Sequence, residues 1–400
     1  MVRHCSGWFL TTAGWLLLAL ICHAQSPGLG SCPPAAPTPA CAPAPSDGPT
    51  FELDASFLLW WTEGQSTPPL MTGSAIPGDL GVLGAGTTTL IGGTLSQSPL
   101  LGGRFSARAF LAEGLGVEAR GLYLESQAKT WTAEGTPVIA IPFLDPTNGA
   151  EAALRLQAPQ AATGSAWVRV NRQKLWGTEL NAIYRISSRD QIEFDLLGGF
   201  RQLQLREGLA LNTSTTLATP GFFVGQVTPS GSTYLGTDSF STTNSFYGGQ
   251  LGGRCRKVLD CFVIEASASV ALGTMQQQLN IAGSTQLVAP GLPGQTAPGS
   301  LFSQTTNIGS YRRNGFGVIP QAGMQVGWHV TDWACFLAGY DFLYVQDVIR
   351  PGDQINRRVN LNLAPIADIG VPGGPAQPAP ELSSGSFWAQ GLTFSLLFSF

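Results

Sequence analysis

Apolar and polar residues alternate at period two through most of the chain, and the clearest case ends it. Leu392, Phe394, Leu396, Phe398 and Phe400 share one face of an extended strand, while Thr393, Ser395 and Ser399 share the other. Ile192, Phe194, Leu196 and Phe200 alternate in the same way with Glu193, Asp195, Gly199 and Arg201. Phe262, Ile264, Ala266 and Val270 alternate with Glu265, Ser267 and Ser269, and Phe316, Val318, Met324, Val326 and Trp328 oppose Gln321, Gln325 and His329. The full pattern predicts strands near 52–61, 102–112, 115–125, 174–186, 190–205, 242–254, 261–275, 314–329, 332–348 and 386–400.

The connections alternate too. Those at 113–114, 187–189, 255–260 and 330–331 are short, whereas 62–101, 126–173, 206–241, 276–313 and 349–385 are long and rich in Pro, Gly, Ser and Thr. A soluble sandwich has no reason to lengthen every second loop. The expected fold is all-β: an antiparallel transmembrane barrel of about ten strands, within eight to twelve, with short periplasmic turns and long extracellular loops. A further hairpin is most expected within 126–173, where Trp131, residues 138–141 and residues 167–170 have strand character.

The apolar face suits lipid. The other face carries charges of both signs at Asp54, Arg104, Arg108, Glu118, Arg120, Glu179, Arg185, Glu193, Asp195, Arg201, Glu265 and Asp341. These are the expected lumen-lining residues, and pairing across a narrow lumen would offset their desolvation. Such a network either plugs the barrel or lines a pore. Trp60, Trp61, Trp176, Trp328, Trp333, Tyr340 and Tyr344 fall near strand ends, where interfacial girdles belong.

Composition narrows the class. Gly makes up 50 of 400 residues, charged residues only 12%, and the net charge is -4 with no basic block, so a nucleic-acid partner is not expected. Residues 1–24 place Arg3 and His4 before an apolar run from Trp8 to Ile21 and end in Cys22, His23 and Ala24, the pattern of a cleaved signal peptide. No later segment approaches the ~20 apolar residues of a spanning helix, so any membrane crossing must be a barrel. Residues 25–50 are rich in Pro and Ala and read as a periplasmic linker, leaving 51–400 as the barrel.

Export would place the cysteines in an oxidising compartment, where Cys32 could pair with Cys41 inside the linker. Cys255 and Cys261 flank the turn expected over 256–260, and a bridge between them would clamp one hairpin. Cys335 is expected to pack as a small hydrophobe. After the signal segment the one histidine is His329, and no Cys-x-x-Cys pair occurs. That set offers no metal centre and no His-based relay, so neither enzymatic activity nor a cofactor is expected. The Gly-rich pieces 81–86 and 291–299 lack the Lys-Ser/Thr of a phosphate loop. Arg350, Pro351, Gly352 and Asp353 read as a type II turn opening the last long loop. That loop either folds back to set Arg350 and Asp353 at a constriction, or simply ends the ninth strand.

The terminal strand resembles the closing strand of bacterial outer-membrane barrels, whose final Phe, here Phe400, is read by the barrel assembly machinery. The resemblance implies an outer-membrane location, with membrane lipid, the assembly machinery and periplasmic chaperones as partners. Residues 56–61, 81–84, 246–252, 270–273, 317–320, 339–344 and 348–356 resemble landmarks of the putative beta-barrel porin-7 family, although Asn356 stands where an Asp is expected. That implies a porin by architecture, with no catalytic or substrate residues to carry over. Two functions follow: a passive channel for small hydrophilic solutes, or a closed structural barrel displaying its long loops. About eight strands are filled by their own side chains, so ten leave at most a narrow pore.

Overall fold

The computed structural model describes residues 51–400, apart from 85, 97, 113, 126–127, 187–191, 224–225 and 365–372. The expected signal peptide and linker, with Cys32 and Cys41, lie outside the described residues. Among the described residues the strands are β1 (Phe51–Thr62), β2 (Gln65–Ser74), β3 (Thr88–Leu95), β4 (Leu100–Ala112), β5 (Leu115–Glu125), β6 (Lys129–Ala133), β7 (Val138–Leu144), β8 (Glu151–Gln157) and β9 (Ala162–Ile186). They continue with β10 (Ile192–Leu217), β11 (Gly221–Phe223), β12 (Gln226–Thr228), β13 (Thr233–Leu259), β14 (Phe262–Val288), β15 (Gln295–Pro298), β16 (Gly309–Thr331), β17 (Ala334–Ile349) and β18 (Ser384–Ser399). Two short 3-10 helices, η1 (Pro351–Gln354) and η2 (Leu361–Leu363), lie between β17 and β18.

Ten strands close a ring in the order β1, β4, β5, β9, β10, β13, β14, β16, β17, β18, with every neighbouring pair antiparallel. The seam joins β18 to β1, where Phe51 and Phe400 exchange backbone hydrogen bonds of 3.1 and 2.9 Å. Along β18 the predicted faces hold: Leu392, Phe394, Leu396 and Phe400 point outward, while Thr393 and Ser395 are buried within. The outer belt continues through Phe57, Phe105, Leu180, Phe200, Leu251, Leu272, Phe316 and Trp328, all exposed large side chains that a lipid belt would cover.

One turn is tighter than the sequence suggests. Leu259 pairs directly with Phe262, so β13 and β14 are joined by Asp260 and Cys261 alone, with Asp260 at φ 52. Asp tolerates that left-handed conformation better than most residues. Residues 255–259 therefore extend the strand instead of forming the loop expected at 255–260. Cys255 lies opposite Ala266 while Cys261 occupies the turn itself, so the expected Cys255–Cys261 clamp does not form.

At the other end β9, β10, β13 and β14 run for 25, 26, 27 and 27 residues. A transmembrane strand needs only about 9–11. Their upper halves wrap around the small sheet β3-β2-β7-β8. Met71, Ile141, Val168, Leu211, Phe240, Ile281 and Ile355 make a shared core there, each 7% exposed or less. The strand-like pieces within 126–173 thus become β6, β7 and the upper part of β9. They build a head above the barrel and leave the ring at ten strands.

Candidate functional site

The lumen is the candidate site, and strand parity decides what enters it. Glu52, Asp54, Ser56, Leu58 and Trp60 share the inward face of β1, and all are buried. The charged half lies toward the short turns. Arg108 on β4 bonds Glu118 of β5 at 2.9 Å and Glu52 of β1 at 2.8 Å. Arg256 reaches across to the other oxygen of Glu52 at 3.1 Å and holds Glu265 at 3.0 and 3.1 Å. Glu118, fully buried, also receives Arg254 and lies 3.4 Å from Arg120. Arg185 holds Asp195 at 2.8 Å and approaches Glu193 at 3.5 Å, with its guanidinium 4.1 Å from the Phe110 ring. Arg201 and Arg120 flank Glu179 at 3.7 and 3.6 Å, and Arg104 meets Asp341 at 3.2 Å. Asp54 accepts from the Ser56 hydroxyl at 2.7 Å.

The twelve predicted lumen residues are therefore brought together inside the ring. Glu52, Arg254 and Arg256 complete the network and were not among them. Glu52 was legible as one more step of the Asp54 parity. Arg256 was obscured because residues 255–260 read as loop, whereas Arg254 closes the strand expected over 242–254 and was legible from its parity. A buried charge is tolerable only with good partners, and a network spanning β1, β4, β5, β9, β10, β13, β14 and β17 supplies them. Among these side chains lie cavities of about 20 Å³, one beside Asp54 and Arg104 and one beside Glu179 and Gln250, each with room for about one water.

Above the charges the lumen is crossed by an apolar layer: Leu58, Trp60, Leu124, Leu175, Leu203, Phe246, Met275, Ile319, Leu343 and Phe387, none more than 3% exposed. Trp60 thus belongs to the interior and not to the interfacial girdle expected for it, because its parity is that of Asp54 and Leu58. Glycines make room for this layer. Gly248, Gly273 and Gly317 stand side by side on β13, β14 and β16, and the Phe246 ring lies against Gly248 and Gly317. A Cβ on Gly248 would come within 2.6 Å of that ring, and one on Gly317 within 3.0 Å. The two layers are linked by a chain of hydrogen bonds from Trp60 Nε1 to Thr393 Oγ1 (3.3 Å), on to Asp341, and so to Arg104.

The mouth is filled by the segment following β17. Asn244 holds the backbone of Ile349 through two bonds of 2.9 Å. Arg350 is 2% exposed; it donates to Glu207 at 2.8 and 3.1 Å and to the carbonyl of Gly64 at 2.8 Å, and lies 3.8 Å from Glu63. Pro351–Gln354 form η1 in place of the expected type II turn, since Gly352 does not adopt the positive φ that turn requires. Gly352 is needed for a different reason: a Cβ there would lie 1.9 Å from the Ser66 carbonyl. Gln354 ties the segment down by donating to the carbonyls of Arg350 and Ser383 at 3.0 and 2.8 Å. Burial pushes the carboxyls of Glu63 and Asp353 upward, the nearby Glu207 adds to the shift, and Arg350 opposes it. Asn356, where an Asp was expected, accepts from the Arg358 backbone at 2.9 Å and donates to Gln377 at 3.3 Å. His329 lies opposite Cys335 at the turn end. Among the described residues no three His, Cys, Asp or Glu side chains are grouped to hold a metal ion.

Several solved structures are similar to this chain at a low level. The outer membrane protease OmpT from Escherichia coli is 10% identical, with 88% of this chain and 97% of that chain covered and a TM-score of 0.43. A major outer membrane protein from Thermus thermophilus is 9% identical, covering 88% and 99%, with a TM-score of 0.23. The Pseudomonas putida toluene transporter TodX is 8% identical, covering 89% and 90%, with a TM-score of 0.20. Likenesses this distant say nothing about chemistry. No curated protein matches the sequence. The family described as Putative beta barrel porin-7 matches residues 53–400, nearly all of the ring and head, and it is to this family of outer-membrane barrels that the chain belongs.

Proposed function

We propose that this protein is a closed outer-membrane barrel that anchors a folded head at the cell surface, reached after export with a cleaved signal peptide, and that it is not an enzyme. The observation that carries this reading is the continuous apolar layer from Trp60 through Phe246 to Phe387, each 0% exposed, lying between the ion network and the Arg350 segment. A standing aqueous path needs polar walls and space, and the cavities beside Asp54 and beside Glu179 hold about one water each. The second reading is a passive channel for small hydrophilic solutes, closed at rest by residues 349–385. It is favoured by the porin description of the family and by the way Arg350 fastens that segment into the mouth.

Single-channel conductance of the refolded chain in a planar bilayer tests both, beside a version lacking 349–385. Silence from both supports the anchoring barrel. Stable conductance from either supports the channel, and a rise in the shortened version assigns the gate to that segment.

A further inference from the structure

The outer wall of the barrel carries a cleft of about 970 Å³ over β1, β4, β5, β9 and β10, at the end nearer the head. Its shape follows from the register. One row runs Phe57, Gly103, Tyr123, Trp176, Gln204 across the five strands. The row beneath runs Ala55, Phe105, Gly121, Thr178, Gln202. Gly103 and Gly121 fall on the outward face, where a Cβ on Gly121 would meet nothing within 4 Å and one on Gly103 only the Ser56 carbonyl at 3.6 Å. Missing side chains therefore make a trough, walled by aromatic rings that are themselves partly exposed.

The row above the aromatics holds Glu125, Lys174 and Arg206 side by side. Lys174 and Arg206 line the cleft and join no ion pair among the described residues, although Glu125 is their neighbour. Trp176 Nε1 donates to Gln204 at 3.0 Å, and Gln204 donates to Ser245 at 2.9 Å, so the polar groups on this wall satisfy one another and leave the two cations available. The order from membrane centre to surface is apolar trough, aromatic rim, then cationic edge. The volume lies within the ~300–1,000 Å³ range of small-molecule pockets.

We propose that this cleft binds one phosphate-bearing lipid of the surrounding leaflet, with an acyl chain in the trough between Phe105 and Trp176 and the phosphate between Lys174 and Arg206. Trough and cations are in register on adjacent rows, matching the layout of an anionic amphiphile.

Native mass spectrometry of the full chain refolded in non-ionic detergent tests this, with phosphatidylglycerol as probe and diacylglycerol as the phosphate-free control. The expected result is one phosphatidylglycerol retained per chain, with diacylglycerol held at least tenfold more weakly. The double variant Lys174→Gln with Arg206→Gln should lower phosphatidylglycerol retention about tenfold. Gly121→Leu should do the same by filling the trough, with the cations untouched and space available for the new side chain. Heat-modifiable migration on a gel confirms that each variant remains folded. Equal retention by all three proteins, equal retention of the two lipids, or displacement of the lipid by inorganic phosphate alone would overturn the proposal.

Discussion

Arg350 and Glu207 stand 143 residues apart in the chain and meet in the barrel mouth through hydrogen bonds of 2.8 and 3.1 Å, both side chains almost wholly buried. Breaking one side of such a pair leaves the other charge without its partner, at a cost of about 3–5 kcal/mol. Arg350→Ala should lower the urea midpoint accordingly and expose residues 350–383 to protease. Arg350→Met combined with Glu207→Leu should recover much of the loss, because the fully buried Glu207 carboxylate leaves together with its partner, while Glu63, a third exposed, keeps access to water. A double variant as unstable as the single one would show that packing, and not the ion pair, fastens this segment.

Phe246 fills the centre of the apolar layer, and its ring leans on Gly248 and Gly317. Phe246→Ala should cost about 3–5 kcal/mol, the range for buried aromatic truncations. The remaining layer should still keep the bilayer current at baseline, since Trp60 and Phe387 stay in place. Denaturant unfolding and conductance on one preparation would check both parts.

Gly273 lies between Gly248 and Gly317, and a Cβ there would fall 2.2 Å from the Tyr247 carbonyl. The β13 backbone at Tyr247 and Gly248 cannot retreat without parting the two strands. Gly273→Val is expected to yield little heat-modifiable folded barrel, whereas Gly121→Val, on the open outer face, should refold like the parent.

Asp238, in the head, accepts from the backbone of Phe302 and Ser303 and from the Ser303 hydroxyl, which fastens the loop after β15 to β13. Burial pushes its carboxyl up to about 6, against the pull of those donors. A carboxyl raised on folding contributes stability that is complete below its unfolded value near 3.8 and is lost as pH rises through about 6. Amide exchange at Phe302 and Ser303 should therefore show protection falling between about pH 4 and pH 6, after correction for intrinsic exchange. Asp238→Asn, unable to ionise, should flatten that dependence.

The ring was legible because two-residue periodicity is imposed on every strand that has lipid on one side and charges on the other. Ile192 to Arg201 and Leu392 to Phe400 carry it almost without exception. The lumen charges were legible by the same parity. The plug was not. Leu58, Trp60 and Phe387 are apolar at inward positions, so period two breaks down where the lumen changes from wet to dry, and Trp60 looks like a girdle residue. Phe246 with its glycines was visible as a motif, but that the glycines share one wall depends on cross-strand register, which pairs Gly248 with Gly273 and Gly273 with Gly317. The head escaped for a related reason. Once β9, β10, β13 and β14 leave the membrane, their partners are residues of β2, β7 and the Ile355 segment, far away in sequence.

The length of β13, 27 residues or about 90 Å of extended chain, bears on how the protein would carry load. A head on flexible tethers would yield when pulled and hide the force from the membrane. Here β13 and β14 stay hydrogen-bonded from Thr233 and Val288 down to Leu259 and Phe262, so tension applied at the surface runs as shear along one continuous ladder into the barrel wall. Head and barrel wall are mechanically a single beam.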